Sequence, residues 1–403
     1  MTLRAYDIVI FGVTGFTGRL VADYLANRHP VPGLRWAIAG RNPTKLEKVA
    51  QEVGIEGIPI IVADSSDRAS LDALTKQTLV VCTTVGPYAK YGAELVASCV
   101  DNQTHYVDLT GEPQFVRRMI DQHHEAAQAN GTRIVHCCGF DSIPSDLGVF
   151  NLQDAAIQQM GEPFDEIEAI VLGASGGVSG GTAASMVQMM EEIGDPATRR
   201  AIGDPYALAG GKRGPDGSWQ RGARYSEALG AWTGPFFMAP INEKIVRRSN
   251  AVLGDRYGAD FRYSESLRTG KGLQGRLAAA AVGGGMMAAM AGLAVPPIRK
   301  FAAANLLPAP GEGPSEEEIA NGYFKFKMFG RSSKRSERAA ITIKGTRDPG
   351  YGATSCMLAQ SAVTLAKEPN LPLSGVLTPA SAMGRSLTER LQATDVQFTI
   401  EWA

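Results

Sequence analysis

The sequence predicts an α/β fold: a doubly wound parallel sheet over residues 1–143, followed by a second, α+β domain over 144–403. Three observations predict it. Short apolar runs alternate with helical patterns through the first third of the chain, the signature of βαβ units. A glycine-rich turn joins the first run to the first helix. After about Phe140 the alternation gives way to longer strands and mixed segments.

Taken in order, the strands are Asp7–Gly12, Leu34–Gly40, Ile58–Ala63, Thr78–Thr84, Tyr106–Leu109 and Arg133–Cys137. Helices are expected from Phe16 to about Arg28, over Pro43–Val53 with proline at a favoured first-turn position, around Ser70–Lys76, and over Gly92–Asn102 and Pro113–Ala129. The second part reads as a helix over Asp146–Met160, a strand at Glu166–Leu172, a glycine-rich run at 173–182 and a Met-rich helix to Ile193. Residues 203–235, rich in Gly, Pro and Trp, are expected to form an irregular surface loop. A Pro/Gly linker at 305–315 and a helix start at Glu316 precede strands at Tyr323–Gly330 and Arg338–Gly345. A helix over Tyr351–Ala366, a helix near Ser386–Gln392 and a strand at Val396–Trp402 close the chain, with 352–403 placed to pack back on the first sheet.

Composition narrows the function. With 403 residues the chain is long enough for two or three domains. Forty Lys+Arg against 41 Asp+Glu leave a net charge of -1, which argues against a nucleic-acid partner. Glycine is in excess, at 46 residues, so backbone approaches a neighbour or a ligand closely at many points. Five cysteines without CxxC spacing, and five histidines without ligand spacing, point to reduced thiols in the cytoplasm and to no metal. The apolar run at Ile8 is too short for a signal peptide.

The strongest motif is Gly12-Val-Thr14-Gly15-Phe16-Thr17-Gly18, directly after the first strand and opening the first helix. Gly12 serves the tight turn, Gly15 lets the backbone reach a pyrophosphate, and Gly18 lets helix and strand pack closely. The helix N-terminus then holds the anion. This is a Rossmann-type dinucleotide site. The second strand ends in Arg41, where an NAD site would carry an acid; a guanidinium matches a 2′-phosphate, and Lys45 adds charge one turn into the next helix. The cofactor is therefore NADP(H). Asp64, after the third strand, is placed either to bond adenine or to cap a helix. Gly86 and Pro87 set a turn after the fourth strand, beneath the ribose and nicotinamide, and Tyr88 is expected to aim its hydroxyl at the reacting region.

These residues resemble a known family. GVTGFTG at 12–18, AGRN at 39–42, VGPYAKYG at 85–92, YVDLTGE at 106–112 and CCGFDSIPSDLG at 137–148 are similar to the saccharopine dehydrogenase-like oxidoreductases. They resemble most the branch that includes the mycobacterial trans-acting enoyl reductases, and segments 341–362 and 375–384 extend the likeness over nearly the whole chain. The resemblance implies an NADPH-dependent reductase of a lipid or polyketide precursor, such as an enoyl chain carried by a synthase, with association at lipid surfaces in some members. It assigns cofactor binding to Gly12, Thr14, Gly15, Phe16, Thr17, Gly18 and Arg41. It assigns no proton donor.

Three side chains are candidates for that donor: Tyr88, His136 and Asp141. Each has a plainer role, as pocket wall, core histidine or turn residue. Cys137 and Cys138 read as packing on a buried strand. Met186, Met189, Met190, Met286, Met287 and Met290 read as core, or as a pliable lining for an acyl chain. A dehydrogenase of amino acids or imines, and a non-catalytic NADPH-binding protein, are the competing readings. Finally, Leu277–Ile298 is an uncharged run flanked by Arg268, Lys271 and Arg276 before it and by Arg299 and Lys300 after it. It suits a bilayer span, peripheral contact with the inner face of the plasma membrane, or burial in a core or homodimer interface.

Overall fold

The structure is a computed structural model that describes residues 4–176, 180–305 and 313–403. The centres of the 173–182 run and of the 305–315 linker lie outside the described residues. Strands β1 (Tyr6–Phe11), β2 (Trp36–Gly40), β3 (Ile60–Val62), β4 (Thr78–Thr83), β5 (His105–Val107) and β6 (Arg133–Val135) alternate with helices. These are α1 (Phe16–Asp23), α2 (Pro43–Val53), α3 (Arg68–Thr75), α4 (Tyr88–Tyr91), α5 (Ala93–Asp101) and α6 (Pro113–Asn130). Local chemistry sets their ends. Asn42 accepts the Lys45 N–H before Pro43, and Gly54 closes α2 in the left-handed region. Five of the six β1 residues are buried, as a central parallel strand covered on both faces requires. The single helix expected over 16–28 divides, its last turn widening so that the His29 N–H reaches the Tyr24 carbonyl at 2.8 Å.

Helix α7 (Ile143–Met160) leads into the second domain. There β7 (Glu166–Ser175), α8 (Gly180–Glu192), α9 (Pro196–Gly203), β8 (Arg224–Ser226), β9 (Ala231–Pro235), α10 (Ala239–Val252) and β10 (Arg262–Gly270) follow one another. After them come α11 (Gly272–Ala294), α12 (Pro296–Asn305), α13 (Glu316–Asn321), β11 (Tyr323–Arg331) and β12 (Arg338–Gly345). The chain then returns through α14 (Thr354–Lys367), β13 (Gly375–Leu377), α15 (Pro379–Gln392) and β14 (Val396–Trp402).

Two seven-stranded sheets result. The first runs β13-β6-β5-β4-β1-β2-β3, parallel throughout. The second runs β14-β12-β11-β7-β10-β9-β8, with only β7 and β10 parallel. The C-terminal stretch is thus shared. Strand β13 extends the first sheet beside β6, while β14 joins the second beside β12.

Two expectations are corrected, and one helix stands where the sequence carried no expectation. Part of the 203–235 segment is not loop: β8 and β9 pair there and extend the second sheet. Helix α10 has no legible apolar stripe because its buried positions mix charged residues with Ile241, Ile245 and Val246. Glu243, Lys244, Arg247 and Arg248 are all buried, with Arg247 paired to Glu243 at 3.0 Å and to Asp216 at 2.9 Å. The 277–298 run is not a core helix within this chain, since α11 buries only Gly275, Ala279 and Gly283.

Candidate active site

The strand order reverses between β1 and β4, and the crevice outside their C-terminal ends is where doubly wound sheets bind ligands. Gly12 follows β1 with φ +97°, a conformation that favours glycine. A Cβ on Gly18 would run into the Gly12 carbonyl and the Thr84 hydroxyl. The turn is stapled to the far side of the crevice: the Thr84 N–H bonds the Phe11 carbonyl at 3.0 Å, and its hydroxyl donates to the Gly12 carbonyl at 3.1 Å. Gly15 stands at the start of α1 in extended backbone, with no side chain capping the helix. The free N–H groups of that first turn face the crevice, as a pyrophosphate needs.

Phe16, Thr17 and Arg41 line the same cavity as Gly15, together with Gly86 and Pro87. Arg41 follows β2, is exposed and bonds no described side chain, so its guanidinium is available to a 2′-phosphate. Lys45 is exposed on the first turn of α2, and Thr14 is exposed in the turn. Asp64 neither lines the cavity nor caps α3. Its carboxylate accepts the Ser66 N–H at 2.9 Å and hydroxyl at 2.7 Å, bonds that hold its pKa below the usual carboxylate value, and the cap of α3 is Asp67. The residues present therefore suit NADP(H), with Gly15, Phe16, Thr17 and Arg41 all on the wall of the cavity.

From this cofactor end the cavity, about 660 Å³, continues beneath the second domain. Its far walls are apolar: Met186, Met189 and Met190 from α8, Met286, Met290 and Leu293 from α11, and Trp219, Phe237 and Met238. The two methionine clusters, far apart in sequence, face one space. Met287 is the exception and is exposed. Trp219, Phe237 and Met238 were not legible as site residues because they come from the segment read as irregular and from the unassigned approach to α10.

The donor candidates separate. His136 is a correction: it is fully buried and absent from the cavity wall. Its Nδ1 pairs with Asp108 at 2.7 Å, and its ring packs edge-on against Phe115 and Tyr106. Tyr88 lines the cavity with its ring, but its hydroxyl turns back to donate to the Thr83 carbonyl at 3.2 Å, and burial pushes its pKa well up. The expectation that this hydroxyl faces the reacting region is therefore corrected. Asp141 lies on the wall, half-buried, with no hydrogen-bond partner among the described residues. Burial pushes its carboxyl up to about 6.

Glu112, the last residue of YVDLTGE, is a site residue beyond those the sequence pointed to. It is buried on the cavity wall, at the loop where the C-terminal end of β5 delivers it. Its carboxylate accepts the N–H of Tyr88 at 2.9 Å, the N–H of Ala89 at 2.8 Å and the hydroxyl of Ser185 at 2.8 Å. Burial raises its pKa, and those donors oppose the rise. A carboxylate four residues past Asp108, at the edge where ligands bind, was the available signal.

Known proteins resemble this chain in sequence and in fold. The family model described as the saccharopine dehydrogenase NADP binding domain matches residues 8–135. A relative from Mycobacterium tuberculosis strain H37Rv, provisionally named a trans-acting enoyl reductase, is 41% identical over 413 residues, covering 98% of both chains. The trans-acting enoyl reductase of Mycobacterium leprae strain TN is 38% identical over 410 residues, covering 98% of this chain and 97% of its own. Among solved structures, the apo saccharopine dehydrogenase (L-Glu forming) of Saccharomyces cerevisiae shares the fold with a TM-score of 0.56 at 13% identity, over 99% of this chain and 100% of that one. With relatives alike along almost its whole length and a cofactor turn built for NADP(H), the chain belongs to the saccharopine dehydrogenase-like oxidoreductases, in the branch of the trans-acting enoyl reductases.

Proposed function

We propose that the protein reduces the double bond of an enoyl group on a lipid-like or polyketide chain, in the service of lipid or glycolipid biosynthesis. The observation that carries this reading is the continuity of the cavity. One end is the dinucleotide crevice, and the other is a methionine-lined space with few polar groups. Methionine adapts to a long, irregular apolar chain and shields it from water. Bound NADPH supplies the hydride.

The chain's own residues have the remaining tasks: to align the acceptor, exclude water and provide one proton. Asp141 holds that proton on its carboxyl, poised by burial and without a hydrogen-bond partner among the described residues. Glu112 fixes the peptides of Tyr88 and Ala89 and so shapes the wall between the cofactor end and the acyl end. A reading as a dehydrogenase of amino acids finds less support. Among the described cavity residues the only cation is Arg41, at the cofactor end, while Glu112 and Asp141 are acids. Away from the cofactor end, the described lining offers a substrate carboxylate no cation to pair with.

The test is NADPH oxidation with enoyl thioesters of increasing chain length, followed by mass spectrometry of the product. Stoichiometric formation of the saturated chain, faster with longer chains, supports the proposal. Oxidation with imines or keto acids and none with enoyl thioesters would overturn it.

A further inference from the structure

Helix α11 is apolar along its length, yet the protein leaves most of it uncovered. Its buried residues, Gly275, Ala279 and Gly283, recur every four positions and lie against the body of the second domain. A Cβ on Gly275 would strike the backbone of Gly270, and one on Gly283 the carbonyl of Arg221, so the helix is pressed close along this side. Its next turns close over the cavity through Met286, Met290 and Leu293. The bulky residues on the other side face outward. Leu273 is 70% and Leu277 61% exposed, and Met287, Val295, Ile298 and Phe301 continue the exposed surface into α12. A soluble helix buries its large apolar residues and exposes polar ones. Here only three small residues are buried, while Leu273, Leu277 and Met287 stay exposed among alanines and glycines, so the outward side suits an apolar medium.

The charge on this face is of one sign. No Asp or Glu occurs between Glu265 and Glu312. Arg299 turns inward to Glu191 and the Leu293 carbonyl. Arg268, Lys271, Arg276 and Lys300 are exposed and have no ion-pair partner among the described residues. Arg276 lies over the Trp232 ring instead.

We propose that the face formed by α11 and the start of α12 docks on an anionic lipid bilayer, with α11 lying in the plane of the interface. Contact along its side with the second domain and the cavity is incompatible with a helix that crosses the bilayer alone. A second copy of the chain is a poorer occupant, because a two-fold contact would bring the same cations together. Each cation near an anionic surface raises affinity about fivefold, and the exposed Leu, Ile and Phe side chains add apolar burial. On the reading that the substrate is lipid-like, the cavity under α11 also gives an acyl chain a path that avoids water.

Flotation of the full chain with vesicles tests the docking without any substrate, so its outcome is independent of which bond the enzyme reduces. Wild type is expected to float with phosphatidylglycerol-containing vesicles at low salt and to be released at high salt or on pure phosphatidylcholine. Leu277→Asp with Phe301→Asp, outside the cavity, is expected to lose at least tenfold in bound fraction while still binding NADPH. Lys271→Glu with Lys300→Glu is expected to weaken flotation with unchanged NADPH binding. Wild type remaining unbound to anionic vesicles at low salt overturns the proposal. So does a stable dimer that Leu277→Asp dissociates.

Discussion

The hydroxyl of Ser185 donates to Glu112 Oε1 at 2.8 Å, tying α8 of the second domain to the carboxylate that holds the peptides after Pro87 in the first. The two domains are thus joined at the cavity wall itself, by a bond between a helix that lines the acyl end and a loop that lines the cofactor end.

That junction ranks two substitutions. Glu112→Gln replaces one acceptor oxygen with a donor, leaving the N–H of Tyr88 or Ala89 facing an amide. An unpaired buried donor costs about 1–3 kcal/mol. Ser185→Ala removes one hydrogen bond and leaves both N–H groups satisfied, at about 0.5–1.5 kcal/mol. Denaturant unfolding should therefore place Glu112→Gln below Ser185→Ala in stability. The reverse order would mean the carboxylate does not organise the loop.

Arg41 should discriminate between cofactors. Losing a charged contact costs about 1.5–3 kcal/mol, roughly ten- to hundredfold in affinity. Fluorescence titration of Arg41→Ala is expected to show that loss for NADPH and almost none for NADH. Equal losses would assign Arg41 to the fold.

Asp141 should appear in the pH profile. A proton donor with its pKa pushed up to about 6 is competent below that value and loses competence as pH rises through it. The kcat/KM of the wild type is therefore expected to fall on the alkaline side of about pH 6, and Asp141→Asn to lower kcat about a hundredfold and remove that limb. An unchanged limb in Asp141→Asn would place the titrating group elsewhere.

Glu265 should govern stability rather than activity. It is fully buried, accepts bonds from Asn242, Ser145 and Tyr263, and burial pushes its pKa up to about 8. Its folded pKa exceeds the unfolded value, so its stabilising share is complete at acid pH and is lost as pH rises through about 8. Glu265→Gln is thus expected to unfold at a higher temperature relative to wild type at about pH 9 than at about pH 6. A constant difference across that range would show that the carboxyl does not ionise with folding.

Much of the cofactor end was legible in the sequence because its determinants are local. A turn that needs positive φ at Gly12, a close approach at Gly18 and a strand ending in Arg41 each depend on a few consecutive residues. The parallel sheet followed from the same locality, since β1 to β6 read as apolar runs between helices. His136 shows the limit: a strand end lies beside the crevice, but whether its side chain enters the cavity depends on Asp108, 28 residues away.

The order of elements in the first domain, the dinucleotide turn with its preference for NADP(H), and the uncharged run between 277 and 298 could all be read from the chain alone. Folding alone brings Glu112 to Ser185, gathers methionines of α8 and α11 around one cavity, and leaves Leu273, Leu277 and Met287 of α11 exposed. The physical reason is range. Backbone conformation and helix capping are set by neighbours in the chain. Burial of a carboxylate, or the facing of a helix with a weak amphipathic pattern, is set by surfaces that meet only after folding.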